Sequence, residues 1–245
     1  MVRYRTLLKF FEINIGTLGL KIILLPGMDG TGRLFHPFLI SLPKNIRVDV
    51  ISYSECKKQN YSEIIEEIKL RLPKEPFVLL AESFSGRIAY QLSLDPNVQI
   101  KKLILVASFL SSPLPVLGRL VSYCPIKTLL AFPIPLWLLR HFCFSASTSE
   151  QQLKSFRKTI RSVKPEILAY RLRLILRLKK PHLVSSTDCL VINALNDRLI
   201  SKAVASDITN YFYRVEKIKI KAPHFLAQTE TSQLAEILKA EIEEI

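Results

Sequence analysis

The sequence predicts an α/β fold: a mainly parallel sheet of about six strands, flanked by helices on both faces. Three observations predict it. Short, mainly apolar runs recur at Lys21–Leu25, Phe77–Ala81, Lys102–Ala107 and Cys189–Ala194, the last two close to continuous in Leu, Ile and Val. Between most of these runs lie segments with apolar residues at helical spacing. Finally, strand and helix alternate at a spacing that requires crossover connections, because a tight turn cannot reach a parallel neighbour.

Taken in order, residues 7–15 fit a short edge strand, and the first strong strand is Lys21–Leu25. It ends in the glycine-bearing turn Pro26-Gly27-Met28-Asp29-Gly30-Thr31-Gly32, which leads into a helix from Arg33 to Leu42, before Pro43. A second strand spans Ile46–Ile51. An amphipathic helix follows over Ser62–Leu72, with Ser62 as its cap and Ile64, Ile65, Ile68 and Leu72 facing inward. Phe77–Ala81 is a buried strand, Phe84–Leu94 a helix and Lys102–Ala107 a further strand.

From residue 109 to 186 the alternation breaks. Pro113, Pro115, Pro125, Pro133 and Pro135 punctuate a stretch rich in Leu, Val and Phe, and helical patterns follow at Thr148–Ser162 and Pro165–Lys180. This segment reads as a helical insertion within a single domain spanning residues 1–245. The sheet pattern resumes with a strand at Cys189–Ala194, a helix at Ser201–Tyr211 and a strand at Val215–Ile220. A last helix at Ser232–Glu243 turns Leu234, Ile237, Leu238 and Ile242 inward.

Composition narrows the function classes. At 245 residues and 49% hydrophobic content the chain can bury one large core. Proline outnumbers glycine 14 to 7 and no long repeat occurs, against collagen-like and solenoid folds. The formal charge of +14 raises nucleic acid as a partner. The basic residues are scattered through apolar segments, however, and no helix-turn-helix, zinc-finger or aromatic RNA-binding signature accompanies them, so a basic solvated surface is the better reading. Cys56, Cys124, Cys143 and Cys189 form no Cys-x-x-Cys pair and have no nearby His at metal spacing, which points to reduced thiols and a cytoplasmic location with no metal. No run of about 18 apolar residues marks a membrane span.

The candidate chemistry sits where predicted strands end. Ser83 closes the third strand in Ala81-Glu82-Ser83-Phe84-Ser85-Gly86, with small residues two positions to either side, as a sharp strand-to-helix turn requires. A helix N-cap explains Ser83 equally well when it is taken alone. A serine needs a base to become a nucleophile, and an acid to orient that base. His224 and Asp197 each follow a predicted strand, in the chain order Ser, Asp, His. The backbone N–H of Phe84, after the serine, and of Met28, in the first loop, stand where donors to a developing oxyanion belong. The first loop could also cradle a phosphate, but it lacks a Gly-Lys-Ser/Thr ending and Gly-x-Gly-x-x-Gly spacing.

The segments Pro26-Gly27-Met28-Asp29-Gly30-Thr31-Gly32, Ala81 to Gly86, Asn196-Asp197-Arg198 and Pro223-His224-Phe225 resemble the serine α/β-hydrolase family. The resemblance is strongest to a small bacterial branch whose first loop reads Pro-Gly-x-Asp-Gly-Thr-Gly. It implies the α/β-hydrolase fold with residues 109–186 as a lid, Ser83 as nucleophile, Asp197 as acid, His224 as base, and Met28 and Phe84 as oxyanion donors. It implies no cofactor. Two departures stand out: Ala81 and Ser85 replace both elbow glycines, and the sequence shows no counterpart of the first antiparallel strands of larger members.

The expected activity is hydrolysis of a small-molecule ester or thioester through an acyl-serine. Transfer of the acyl group to an alcohol and a catalytically silent binding module are the alternatives. The helix at Glu166–Lys180 carries Arg171, Arg173, Arg177, Lys179 and Lys180. Such a helix can meet an acidic carrier protein or an anionic membrane surface, but a lid helix with a solvated basic face accounts for it more simply.

Overall fold

The computed structural model describes residues 20–56, 59–113, 128, 132 and 134–245. Six strands form one sheet: β1 (Lys21–Leu25), β2 (Val48–Val50), β3 (Phe77–Glu82), β4 (Ile100–Val106), β5 (Cys189–Ala194) and β6 (Val215–Ile220). Their spatial order is β2-β1-β3-β4-β5-β6, and every neighbouring pair is parallel. The four central strands are the apolar runs of the sequence, because both of their faces are covered. On β3, Leu79 and Ala81 enter one core with Ile64, Ile68, Ile88 and Tyr90, whereas Val78 and Leu80 enter the other with Phe35, Phe38, Leu226 and Leu234.

The helices that supply those cores are α1 (His36–Ser41), α2 (Tyr61–Lys69), α3 (Ser85–Leu92), α7 (Lys202–Asp207), α8 (Leu226–Thr229) and α9 (Thr231–Glu243). Helices α4 (Leu136–Phe142), α5 (Glu150–Arg161) and α6 (Pro165–Leu176) lie between β4 and β5, where the sequence alternation breaks. The α5 helix opens with a capping box, Ser149 and Gln152 each satisfying the other's backbone N–H. A satellite cluster of Leu139, Phe144, Leu153 and Phe156 packs this insertion onto Leu34.

Several boundaries differ from expectation for identifiable reasons. The second strand keeps only Val48–Val50, since it pairs on one side alone at the sheet edge. The cap of α2 is Asn60, whose side chain accepts from Glu63 N–H; Ser62 donates its hydroxyl to Asn60 instead. The Arg33–Leu42 helix divides into a 3-10 turn at Arg33–Phe35 and α1, with Pro37 in the first turn of α1, where its missing N–H is harmless. Helix α6 stops at Leu176, and α4 has no counterpart among the expected elements. The edge strand expected at residues 7–15, and much of the Pro113–Phe144 stretch, lie outside the described residues. No helix among the described residues is long and apolar enough to cross a membrane. Cys56, Cys143 and Cys189 are free thiols.

The strand register gathers the site. Leu25 pairs with Ala81, Glu82 with Val106 and Ala194 with Ile220, so the chain leaves β1, β3, β4, β5 and β6 at one edge of the sheet. The crevice at the carboxyl ends of parallel strands, where the strand order reverses, is where open α/β sheets place their ligands.

Candidate active site

Ser83 sits at the turn between β3 and α3 with φ of 53°, a left-handed conformation that a non-glycine residue adopts only under constraint. The constraint is visible. Ser83 N–H donates to Val106 C=O at 3.0 Å and Ser83 C=O accepts from Gly86 N–H at 3.0 Å. Gly86 must remain a glycine, because a Cβ there would lie 2.6 Å from Ser108 Cβ. Helix α3 therefore passes the end of β4 at a distance that leaves no room for a side chain. The helix gains no side-chain cap bond at its N-terminus, so Ser83 does not act as an N-cap.

The serine hydroxyl faces the imidazole instead. Ser83 Oγ is 3.0 Å from His224 Nε2, and His224 Nδ1 is 2.7 Å from Asp197 Oδ2. All three side chains are buried or nearly so. Asp197 is held in turn by Leu199 N–H at 2.8 Å and Ile200 N–H at 2.9 Å, both donating to Oδ1. The loops that carry Asp197 and His224 are joined by backbone bonds, Leu195 N–H to Ile220 C=O at 2.8 Å and Asn196 N–H to Ala222 C=O at 3.0 Å. The three residues singled out at separate strand ends of the sequence thus lie in one hydrogen-bonded line.

The expected donors flank the same serine. Phe84 directly follows it, fully buried and stacked on Tyr61 with ring centroids 4.8 Å apart. Met28 belongs to the loop after β1, which passes against the elbow: a Cβ on Gly27 would lie 3.8 Å from Ser83 Cβ. Asp29, buried, accepts from Thr31 N–H at 2.9 Å and from the Thr31 hydroxyl, which explains the Asp-Gly-Thr run as an internally bonded turn. Burial pushes the Asp29 pKa up, and the Thr31 bonds oppose it.

Sequence reasoning missed three groups here. The basic pattern of α6 assigns Arg171 to a solvated face, yet the residue is fully buried. Removing a guanidinium from water costs several kcal/mol unless its donors are satisfied, and they are: Nη1 donates to Met28 C=O at 2.7 Å, Nη2 to Tyr53 C=O at 3.0 Å and Nε to Gln59 Oε1 at 2.9 Å. Its carbon also lies 4.7 Å from the Tyr53 ring centroid. Tyr53 is itself buried, with its hydroxyl 2.6 Å from Gly27 C=O and 2.7 Å from Pro26 C=O. Glu82 is buried beneath the elbow, and desolvation pushes its pKa up to about 7. The nearby Gln228 and His224 oppose that shift only in part, and Glu82 Oε1 and the Gln228 amide make no well-formed hydrogen bond. The sequence does hold one trace of the Arg171 burial. Arg171 falls three residues after Leu168 and four before Ile175, on the apolar stripe of the helix rather than opposite it.

A cavity of about 140 Å³ lies within the insertion, lined by Ile134, Leu139, Phe156, Ile160, Val163 and Leu168 among others. Its lining does not include Ser83 or His224. Phe156 connects it to them indirectly, in ring contact with Phe225 at 4.6 Å, which meets the His224 ring at 5.0 Å.

No protein-family model and no curated protein matches the chain. Solved structures do. A hydrolase from Oleispira antarctica superposes with a TM-score of 0.72 at 16% identity, covering 94% of this chain and 93% of that one. An esterase from Exiguobacterium antarcticum gives 0.70 at 15% identity over 94% and 93% of the two chains. The type II thioesterase BorB of the borrelidin biosynthetic cluster gives 0.64 at 14% over 93% of each. The chain has the α/β-hydrolase fold.

Proposed function

We propose that this protein is a serine hydrolase that cleaves a carboxylic ester, or a thioester, through an acyl-serine intermediate. The observation that carries the proposal is the hydrogen-bonded line from Ser83 Oγ through both nitrogens of His224 to Asp197 Oδ2, starting at a positive-φ elbow. Ser83 Oγ attacks the substrate carbonyl carbon as its proton passes to His224 Nε2. Asp197 on Nδ1 keeps the lone pair on Nε2 and stabilises the imidazolium. Met28 and Phe84 N–H groups meet the oxyanion. His224 then protonates the departing alcohol or thiol. Finally it deprotonates a water that attacks the acyl-serine, releasing the acid and restoring Ser83.

Residues 109–186 act as a lid in this reading. What supports the lid is that Phe144 and Phe156 of that segment pack on Phe225, the residue after His224. The likeness in fold to a hydrolase, an esterase and a thioesterase supports ester-type substrates.

A fluorophosphonate probe tests the reaction class. Wild type is expected to be labelled and Ser83→Ala not, with turnover of short-chain aryl esters reduced about 10⁴-fold or more in the variant. Equal labelling of both proteins, or a wild type inert to probe and esters alike, overturns the reading.

A further inference from the structure

Ser85 occupies the elbow position that a glycine would fill, and its hydroxyl is used. Ser85 Oγ donates to Pro26 C=O, the last residue before the loop turns, and lies 3.0 Å from the Tyr53 hydroxyl. Each hydroxyl has one proton to give. With Ser85 donating to Pro26 C=O, the Tyr53 proton is free for Gly27 C=O at 2.6 Å. The next carbonyl, of Met28, receives Arg171 Nη1 at 2.7 Å. Three consecutive carbonyls of the first loop are therefore each held by a buried side chain from a different element.

A peptide group is planar, so fixing a carbonyl fixes the N–H on the other side of the same bond. The carbonyl of Gly27 shares its peptide plane with Met28 N–H. Tyr53 therefore sets the direction of the donor assigned to the oxyanion, and Ser85 and Arg171 set the planes before and after it. Gly30 is tied to the same arrangement. It has φ of 69°, and a Cβ there would approach Arg171 Nη1 to 2.5 Å and the Tyr53 ring to 2.8 Å. The guanidinium and the phenol thus fill the space that this glycine leaves open.

We infer that Tyr53, Ser85 and Arg171 are positioning residues that clamp the Pro26–Met28 carbonyls, and that Arg171, reaching in from α6, makes a formed oxyanion site depend on the seating of the insertion. This rests on the hydrolase reading above. It adds a coupling: the loop on β1 and the insertion after β4 are far apart in sequence, yet one guanidinium spans them, with Gln59 of the loop before α2 completing its shell. Preorganised donors matter most where charge develops, so a tilted Gly27–Met28 plane weakens the transition state more than substrate binding.

The test uses the full chain and a short-chain aryl ester, with Tyr53→Phe, Ser85→Ala and Arg171→Gln. Tyr53→Phe removes one hydroxyl and keeps the ring under Arg171. It is expected to lower kcat about 10- to 100-fold with KM within about twofold. Affinity for a trifluoromethyl ketone, which forms a tetrahedral adduct with serine, is expected to fall by the same factor as kcat. Ser85→Ala is the mild variant, expected to lose roughly three- to tenfold in kcat, and it keeps the proposal testable should Arg171→Gln fail to fold. Folded Tyr53→Phe and Ser85→Ala proteins with wild-type kcat overturn the clamp, as does a loss confined to KM. An inert wild type overturns the hydrolase reading itself, whereas active wild type with unaffected variants overturns only the clamp.

Discussion

Asp197 shows how much a single side chain is constrained by its surroundings. Its Oδ1 accepts two backbone N–H groups while Oδ2 faces His224 Nδ1. In Asp197→Asn those two N–H groups keep the amide oxygen on their side, so the NH₂ is turned toward the imidazole. Nδ1 must then accept, the ring proton moves to Nε2, and no lone pair remains for the proton that the proposed mechanism takes from Ser83. A kcat about 10³- to 10⁴-fold below wild type, with an unchanged melting temperature, is the expected outcome in steady-state assays and thermal denaturation; activity within about tenfold of wild type would remove Asp197 from the mechanism. Ser83, Asp197 and His224 are legible in the sequence because each follows a strand that its residue pattern marks. Tyr53, Ser85 and Arg171 are not legible in the same way. The first-loop groups they hold are backbone carbonyls, which every residue carries, so no pattern of residue types marks those contacts.

At the scale of elements, the central strands and most helices can be read because burial on both faces leaves a strong apolar signature. Ends are read less well, since they depend on which polar side chain reaches which N–H. The start of α2 is the clearest case. Ser62 has the residue type of a cap, but the Asn60 side-chain Oδ1 accepts from Glu63 N–H at 2.9 Å, and Ser62 lies inside the helix with its hydroxyl donating to that same Oδ1. Loss of an N-cap costs about 1 kcal/mol, whereas an exposed serine in a first turn costs little. Asn60→Ala is therefore expected to lower stability by about 1 kcal/mol in urea denaturation and Ser62→Ala by less than about half that. The reverse ranking would return the cap to Ser62. Helix α4 escapes sequence reading for another reason: it is short and follows a proline, and much of its apolar surface, including Trp137 and Phe142, is exposed, so that it lacks a single buried stripe.

For the molecule as a whole, the acid beneath the elbow links folding to pH. Glu82 is buried between the β1 loop and α8, with Asp29, His224 and Gln228 as its polar neighbours. Desolvation raises its pKa from 4.5 to about 7, and the charge of Asp29 adds to the rise. The folded state therefore binds this proton more tightly than the unfolded chain does. Stability from this group is fully present below about pH 4.5, declines as pH rises toward 7, and is level above that. The full swing is on the order of 3 kcal/mol. Asp29, also raised by burial, acts in the same direction from a lower starting value. Glu82→Gln cannot ionise and keeps the volume and hydrogen-bonding reach of the acid form. Between about pH 5 and pH 8, urea denaturation is expected to show wild type losing stability relative to Glu82→Gln, the gap widening up to about pH 7 and constant beyond. Parallel curves for the two proteins would mean that Glu82 is ionised across the whole range, with a partner other than Gln228 and His224 sustaining its charge.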